Sequence, residues 1–308
     1  MIELAFATAL LLAPQTPPAP QDRPASELED VVVEGRSLRE TVDRFVDDIV
    51  APPVGRGPAR WDRKVCVGVS NLRNDTAQAL VDQISTVALR VGLEIGEPGC
   101  RANILVIASA DGAALARGLV EVRPLAFRPP YAGAARGRAA LERFQNREAA
   151  VRWWHVSVPV SSEDGSIAVR VPGLPTPAVR QDGSRLNTRI RNDLRRAIII
   201  LDMDRVGDTT VQQLGDYIGM VALAQIDPDA ETGSYDTILN LFDGATRPDA
   251  LTEWDASYLS SLYDAELNRR APVQQSGEVS GIMFRDRDAA QRQDVRPAPS
   301  DQATPDDD

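Results

Sequence analysis

Between Arg195 and Asp227 the chain reads RRAIIILDMDRVGDTTVQQLGDYIGMVALAQID, and the rhythm of its apolar residues changes partway. Ala197 to Leu201 is an unbroken, isoleucine-rich run, bounded by arginines before it and by Asp202, Asp204 and Gly207 after it. Such a run predicts a strand covered on both faces. From Val211 onward, Val211, Leu214, Ile218, Val221 and Ala222 recur at intervals of three and four, the period of a helix with a buried face. Asp208, Thr209 and Thr210 supply side-chain oxygens for its amino terminus.

The same patterns extend along the chain. Ser37-Leu38-Arg39-Glu40 has the spacing of a capping box, and Leu38, Val42, Phe45, Val46 and Ile49 follow as one stripe that Pro52-Pro53 ends. Residues 64–70 alternate Val65, Val67 and Val69 with Cys66 and Gly68, which predicts a strand. A helix capped at 74–76 then carries Ala77, Leu80, Val81, Ile84, Val87, Ala88 and Val91, Gly92 stops it, and a second buried strand covers 102–109. Together these form a βαβ unit. Helices are expected at 111–122 and 139–147, with a loop over 124–137 between them. Residues 151–160, VRWWHVSVPV, predict an edge strand with Trp153, His155 and Ser157 on one face and Trp154, Val156 and Val158 on the other. Residues 161–182 suggest a hairpin and loop. In 184–196 the spacing of Leu186, Ile190 and Leu194 predicts a basic amphipathic helix that delivers the chain into the central strand. A further helix begins near Leu251 and buries Tyr258, Leu259, Leu262 and Tyr263. The fold class that follows is α/β (α+β), a mixed sheet packed by helices with disordered N- and C-terminal tails.

Composition narrows the possibilities. A chain of 308 residues that is 43% hydrophobic can bury a substantial core. A formal net charge of -11 argues against nucleic acid and anionic lipid as main partners. Residues 1–20 contain an apolar run of signal-peptide length, too short to span a bilayer, and 21–36 read as a linker. A single domain is expected over 37–272, then a disordered acidic tail over 273–308. Cys66 and Cys100 fit an exported, periplasmic protein, in which one disulfide is favoured over two separate buried thiols. Neither has the surroundings of a catalytic cysteine. Of the 34 cationic residues only Lys64 is a lysine, and His155 is the one histidine. No GxGxxG or GxxxxGK[ST] cradle is present, so no nucleotide cofactor is expected. The acidic turn at 227–236 places its Gly233 and Ile238 wrongly for a calcium loop.

Gln212-Gln213-Leu214-Gly215-Asp216-Tyr217-Ile218-Gly219-Met220 resembles the zincin metallopeptidase helix HELGHxLGL in its Leu, its two Gly positions and its apolar ends. The phrase LTEWDASYLSSLYD is similar to the segment that follows this helix in uncharacterised exported zincin-like proteins. The resemblance implies a zincin-like fold in which the later helix packs beneath the metal helix. Here, however, Gln212 and Asp216 stand at the imidazole positions and Gln213 at the general base. Amides bind zinc poorly and cannot take up a proton, so no metal site is expected. The resemblance also implies that the edge strand could hold an extended peptide, with Trp153, Trp154 and His155 lining the groove. The reading is therefore a non-catalytic binding or structural module of the cell envelope, a pseudoenzyme with no cofactor and an unknown protein or peptide partner. The alternative is a zinc-free hydrolase in which Asp202, Asp204 and Asp216 converge as a carboxylate pair.

Overall fold

Alternation along the strands sorts side chains into two cores, one on each face of a sheet. The structure, a computed structural model, describes residues 37–177, 185–243 and 247–294. Its elements in order are α1 (Leu38–Ile49), β1 (Lys64–Val65), β2 (Val67–Ser70), α2 (Asn74–Arg90), β3 (Glu94–Ile95), β4 (Ile104–Ser109), α3 (Gly112–Val122), α4 (Pro124–Phe127), α5 (Arg138–Asn146), β5 (Val151–Ser161), β6 (Ile190–Asp202), α6 (Met203–Val206), α7 (Val211–Leu223), a 3-10 turn (Ile238–Leu241), α8 (Glu253–Asp264) and α9 (Pro272–Asp294).

The main sheet has the order β2-β4-β6-β5. β2, β4 and β6 run parallel, and β5 lies antiparallel on β6. The sheet is thus mixed, as expected, and β5 stands at its edge. Ile104 and Val106 of β4, Ala197, Ile199 and Leu201 of β6 and Trp153 of β5 face the larger core, shared with α1, α2, α7, α8 and α9. Ile198, Ile200, Trp154 and Val156 point the other way, onto Ala116, Phe127, Leu141 and Phe144 of α3, α4 and α5. Ile199, Ile200 and Leu201 have no exposed surface. Burial of this kind contributes roughly 1.5–3 kcal/mol per side chain.

The capping box of α1 and the glycine stop of α2 act where the sequence placed them, whereas α2 starts at Asn74 after Arg73, with no side-chain cap at 74–76. Ser37 Oγ accepts from Glu40 N at 3.3 Å, and Glu40 Oε2 accepts from Ser37 N at 3.2 Å. Gly92 takes φ +78 as α2 ends. Thr252 and Asp255 form a second such box at α8, where the fully buried Asp255 also accepts from Ile238 N at 2.7 Å and so ties the 3-10 turn to the helix. Cys66 and Cys100 are joined in a disulfide, Cα to Cα 6.1 Å. Among the described residues no helix is long and apolar enough to cross a membrane.

Three expectations require correction. Residues 190–196 belong to β6 rather than to a basic helix, so the central strand runs from Ile190 to Asp202. Its buried polar residues Asn192 and Asp193 find partners in Gly57 O and Arg191, which lets a polar sequence enter a sheet. Residues 273–294 are not a disordered tail: they form most of α9, which buries Val279 and Met283 and donates from Ser280 Oγ to Asp43 Oδ1 of α1 at 2.6 Å. The strand expected over 64–70 divides at Cys66, with β1 pairing to β3 and β2 to β4. The signal peptide at 1–20, the linker at 21–36 and residues 295–308 of the tail lie outside the described residues.

The tightest helix contact is α2 on α7. A Cβ added at Gly219 would stand 2.9 Å from Val87 Cγ2, and the β-branched Val87 has little room to turn aside. Gly219→Ala is expected to cost about 1–3 kcal/mol in chemical denaturation. Replacing both cysteines by serine is expected to lower stability by about 4 kcal/mol in the same assay, because the bridge closes a long loop of the unfolded chain.

Candidate functional site

Helix α7 is buried along one continuous stretch, from Leu214 to Leu223. At its amino end Thr210 Oγ1 accepts from Gln213 N at 3.1 Å and Gln213 Oε1 accepts from Thr210 N at 3.1 Å, while Gln213 Nε2 donates to Pro248 O at 2.9 Å. Gln212 faces solvent in the first turn. Asp216 points inward, and both its oxygens are engaged: Oδ1 accepts from Gln83 Nε2 at 2.7 Å and Oδ2 from Leu251 N at 2.9 Å. Of the residues at the two imidazole positions, then, Gln212 is solvated and Asp216 is held by neutral donors, and Gln213 at the general-base position is a cap. They do not fit a zinc ion. Among the described residues no group of three or more His, Cys, Asp or Glu side chains could hold a metal.

At the carboxyl end the last carbonyls of α7 lack intrahelical partners and meet side-chain donors. His155 Nε2 donates to Val221 O at 2.7 Å, Trp61 Nε1 to Ala222 O at 2.9 Å, and Tyr263 OH to Leu223 O at 3.0 Å. Because a carbonyl can only accept, the His155 proton sits on Nε2. Burial holds the imidazole neutral, lowering its pKa to about 4; the bond to Val221 opposes this shift and the positive charge of Arg136 adds to it.

The groove candidates occupy separate surroundings. Trp153 lies in the larger core, 6.1 Å from the Tyr217 ring, and donates from Nε1 to Ile226 O at 2.9 Å. Trp154 lies in the smaller core and donates to Phe127 O at 2.8 Å. What the three residues share is a main-chain edge. Arg152, Trp154 and Val156 turn their main chain toward β6, since Ala150 O accepts from Asp202 N and antiparallel pairing alternates. Val151, Trp153 and His155 turn theirs outward. Farther along, the outward groups are covered: Ser157 N donates to Ala134 O and Ser161 N to Ser166 O. Beside Val151, Trp153 and His155 lies instead a cavity of about 30 Å³, closed by Phe144, Gln225 and Ile226. Ion pairs shut its rim. Arg136 grips Asp227 with two bonds of 2.8 and 3.1 Å, and Arg143 and Arg147 both reach Asp229, at 2.9 and 3.1 Å. The sequence shows Asp227 and Asp229 only as part of an acidic turn. Arg143 lies in the last turn of α5 and Arg147 caps it, and their spacing alone does not reveal the aspartates they meet.

The three aspartates of the hydrolase alternative do not come together. Asp202 ends β6 and accepts from Gly112 N, at the start of α3, at 3.1 Å. Asp204 is exposed on α6. Asp216 is held by α2 and Leu251, in the layer on the other face of the sheet.

A neutral, buried His155 makes stability depend on pH. Between its ordinary value of 6.5 and about 4 the unfolded chain binds a proton at this ring that the folded chain does not. Stability is therefore expected to fall as pH is lowered through that window, by about 3 kcal/mol in all. Denaturation of wild type and His155→Gln at several pH values checks this: the gap between the two should narrow toward pH 4.

Set beside family models, curated proteins and solved structures, the chain gives no match.

Proposed function

We propose that this chain is an exported, non-catalytic binding module of the cell envelope, built on a zincin-like scaffold, that takes an extended segment of a protein or peptide partner along the unpaired stretch of β5 once the ion pairs at its rim separate. The observation that carries this reading is the run of outward main-chain groups at Val151, Trp153 and His155, which have no hydrogen-bond partner among the described residues and border a cavity. An extended segment satisfies such groups by adding a strand. The half-exposed arginine–aspartate pairs that shut the rim are each worth about 0–1 kcal/mol, so separating them costs little. The Cys66–Cys100 disulfide supports an oxidising compartment. The polar groups of the metal-helix and groove positions are already occupied. Gln213 and Asp216 are committed to packing and capping, and His155 to a carbonyl.

Two measurements test the reading. Purified protein equilibrated with zinc and dialysed is expected to retain no stoichiometric metal and to cleave no peptide. Selection from a library of extended peptides is expected to yield binders that slow hydrogen exchange at the amides of Val151, Trp153 and His155. Binders that leave those amides unprotected, or peptide hydrolysis accompanied by tightly held zinc, would overturn it.

A further inference from the structure

A second concave site, independent of the β5 edge, arises where β6 breaks its own alternation. Val156 of β5 faces Arg196, but Ser157 faces Leu194, so Arg195 is an extra residue. Main-chain bonds pin both sides of this bulge: Leu194 N donates to Arg60 O at 2.8 Å, and Ala197 N to Asn103 O at 2.9 Å. In a regular strand Arg195 and Arg196 would point to opposite faces. At the bulge both line one depression, together with Arg63, Lys64 and Arg101. The disulfide helps to assemble this wall, because Lys64 lies two residues before Cys66 and Arg101 directly after Cys100.

The depression encloses about 700 Å³, within the range of about 300–1,000 Å³ typical of small-molecule sites. Its charge is one-sided. Two of the three acids in the wall, Asp62 and Asp193, pair with Arg191, which leaves Asp164, bonded to Ser166 N at 3.0 Å, as the one carboxylate of the wall without a cation partner among the described residues. Arg63 reaches only Asp62, at 3.6 Å. Among the described residues, no carboxylate lies within 4.0 Å of the cationic groups of Lys64, Arg101, Arg195 or Arg196. Four unpaired cations thus face one concavity against a single unpaired carboxylate, Asp164, on a chain whose net charge is -11.

That contrast selects the ligand. An extended polyanion would meet the negative field of the whole molecule, whereas a compact one placed inside the depression feels mainly the local cations within a Debye length. Guanidinium forks match phosphate oxygens bidentately, and an ammonium adds a point charge. We infer that the bulge depression is a binding site for a compact phosphate-class anion of two or more charges, such as a diphosphate, either free or carried as a headgroup. Arg195 and Arg196 grip it, and Lys64 and Arg101 close over it from the disulfide-linked wall.

Calorimetric titration of the full chain with pyrophosphate at low ionic strength tests this, beside co-sedimentation with vesicles containing phosphatidic acid, whose phosphomonoester headgroup can carry two charges. Wild type is expected to bind pyrophosphate one to one, more weakly as salt is raised, and Arg195→Gln/Arg196→Gln to bind about tenfold more weakly. Lys64→Gln/Arg101→Gln, changed on the opposite wall, should show a loss of the same order, so the test does not rest on one variant's folding. Arg90→Gln, exposed on α2, should match wild type, and thermal melts of all variants separate lost binding from lost fold. Binding to vesicles but not to pyrophosphate, abolished by the same substitutions, upholds the site and assigns its anion to a lipid headgroup. Absence of saturable binding to either probe, or equal binding by wild type and both double variants, overturns the proposal.

Discussion

Helix α7 ends inside protein, and much of the chain is arranged to satisfy that end. Each buried carbonyl left without a donor costs roughly 1–3 kcal/mol. Three such carbonyls are met by side chains from remote parts of the sequence: Trp61 from ahead of β1, His155 from β5 and Tyr263 from α8. The strand edge, the amino-terminal segment and the α8 layer are thereby referred to one point. Main-chain bonds continue the tie just beyond the helix, where Ala51 N donates to Gln225 O and Asp227 N to Ile49 O. Loosening this knot would loosen several elements together.

The same arrangement explains why the helix that resembles a metal-binding one has a different occupation. A zinc helix needs two neutral imidazoles aimed at open space and a carboxylate free to take up a proton. Here Asp216 bridges α2 and the stretch before α8, Gln213 bridges the cap and Pro248, and the one imidazole is a cap for Val221. Polar groups that could have served chemistry are spent on joining layers.

Much of the fold was legible because its signals are local. The isoleucine run and the three-and-four spacing after Val211 located β6 and α7, the capping box located α1, and the cysteines paired. Two elements were hidden by the way polar residues are buried. Ile190 and Leu194 lie four residues apart in β6, the bulge adds a step of three to Ala197, and the exposed Leu186 ahead of the strand extends the pattern, so a strand imitates helical spacing. Its interior positions Asn192 and Asp193 read as solvated although both are buried and bonded. α9 reads as a polar tail, yet it docks through Val279 and Met283, through Ser280 on Asp43, and through Arg287 lying 5.5 Å over the Trp254 ring. Site geometry was less legible still. No spacing rule says that Asp202 and Asp216 belong to different layers, or that Asp227 and Asp229 meet the arginines at the end of α5 and before it.

The bulge in β6 has a consequence for how the strand can change. Before Arg195 the even-numbered residues Asn192 and Leu194 face the larger core; after it, the odd-numbered Ala197, Ile199 and Leu201 do. Straightening the strand at full length would rotate Leu194 out of the interior and turn Asp193 into it, whereas deleting Arg195 would remove the bulge and leave Leu194 and Ala197 both inward. The two halves of this strand share one inside but not one parity, and the single extra arginine reconciles them.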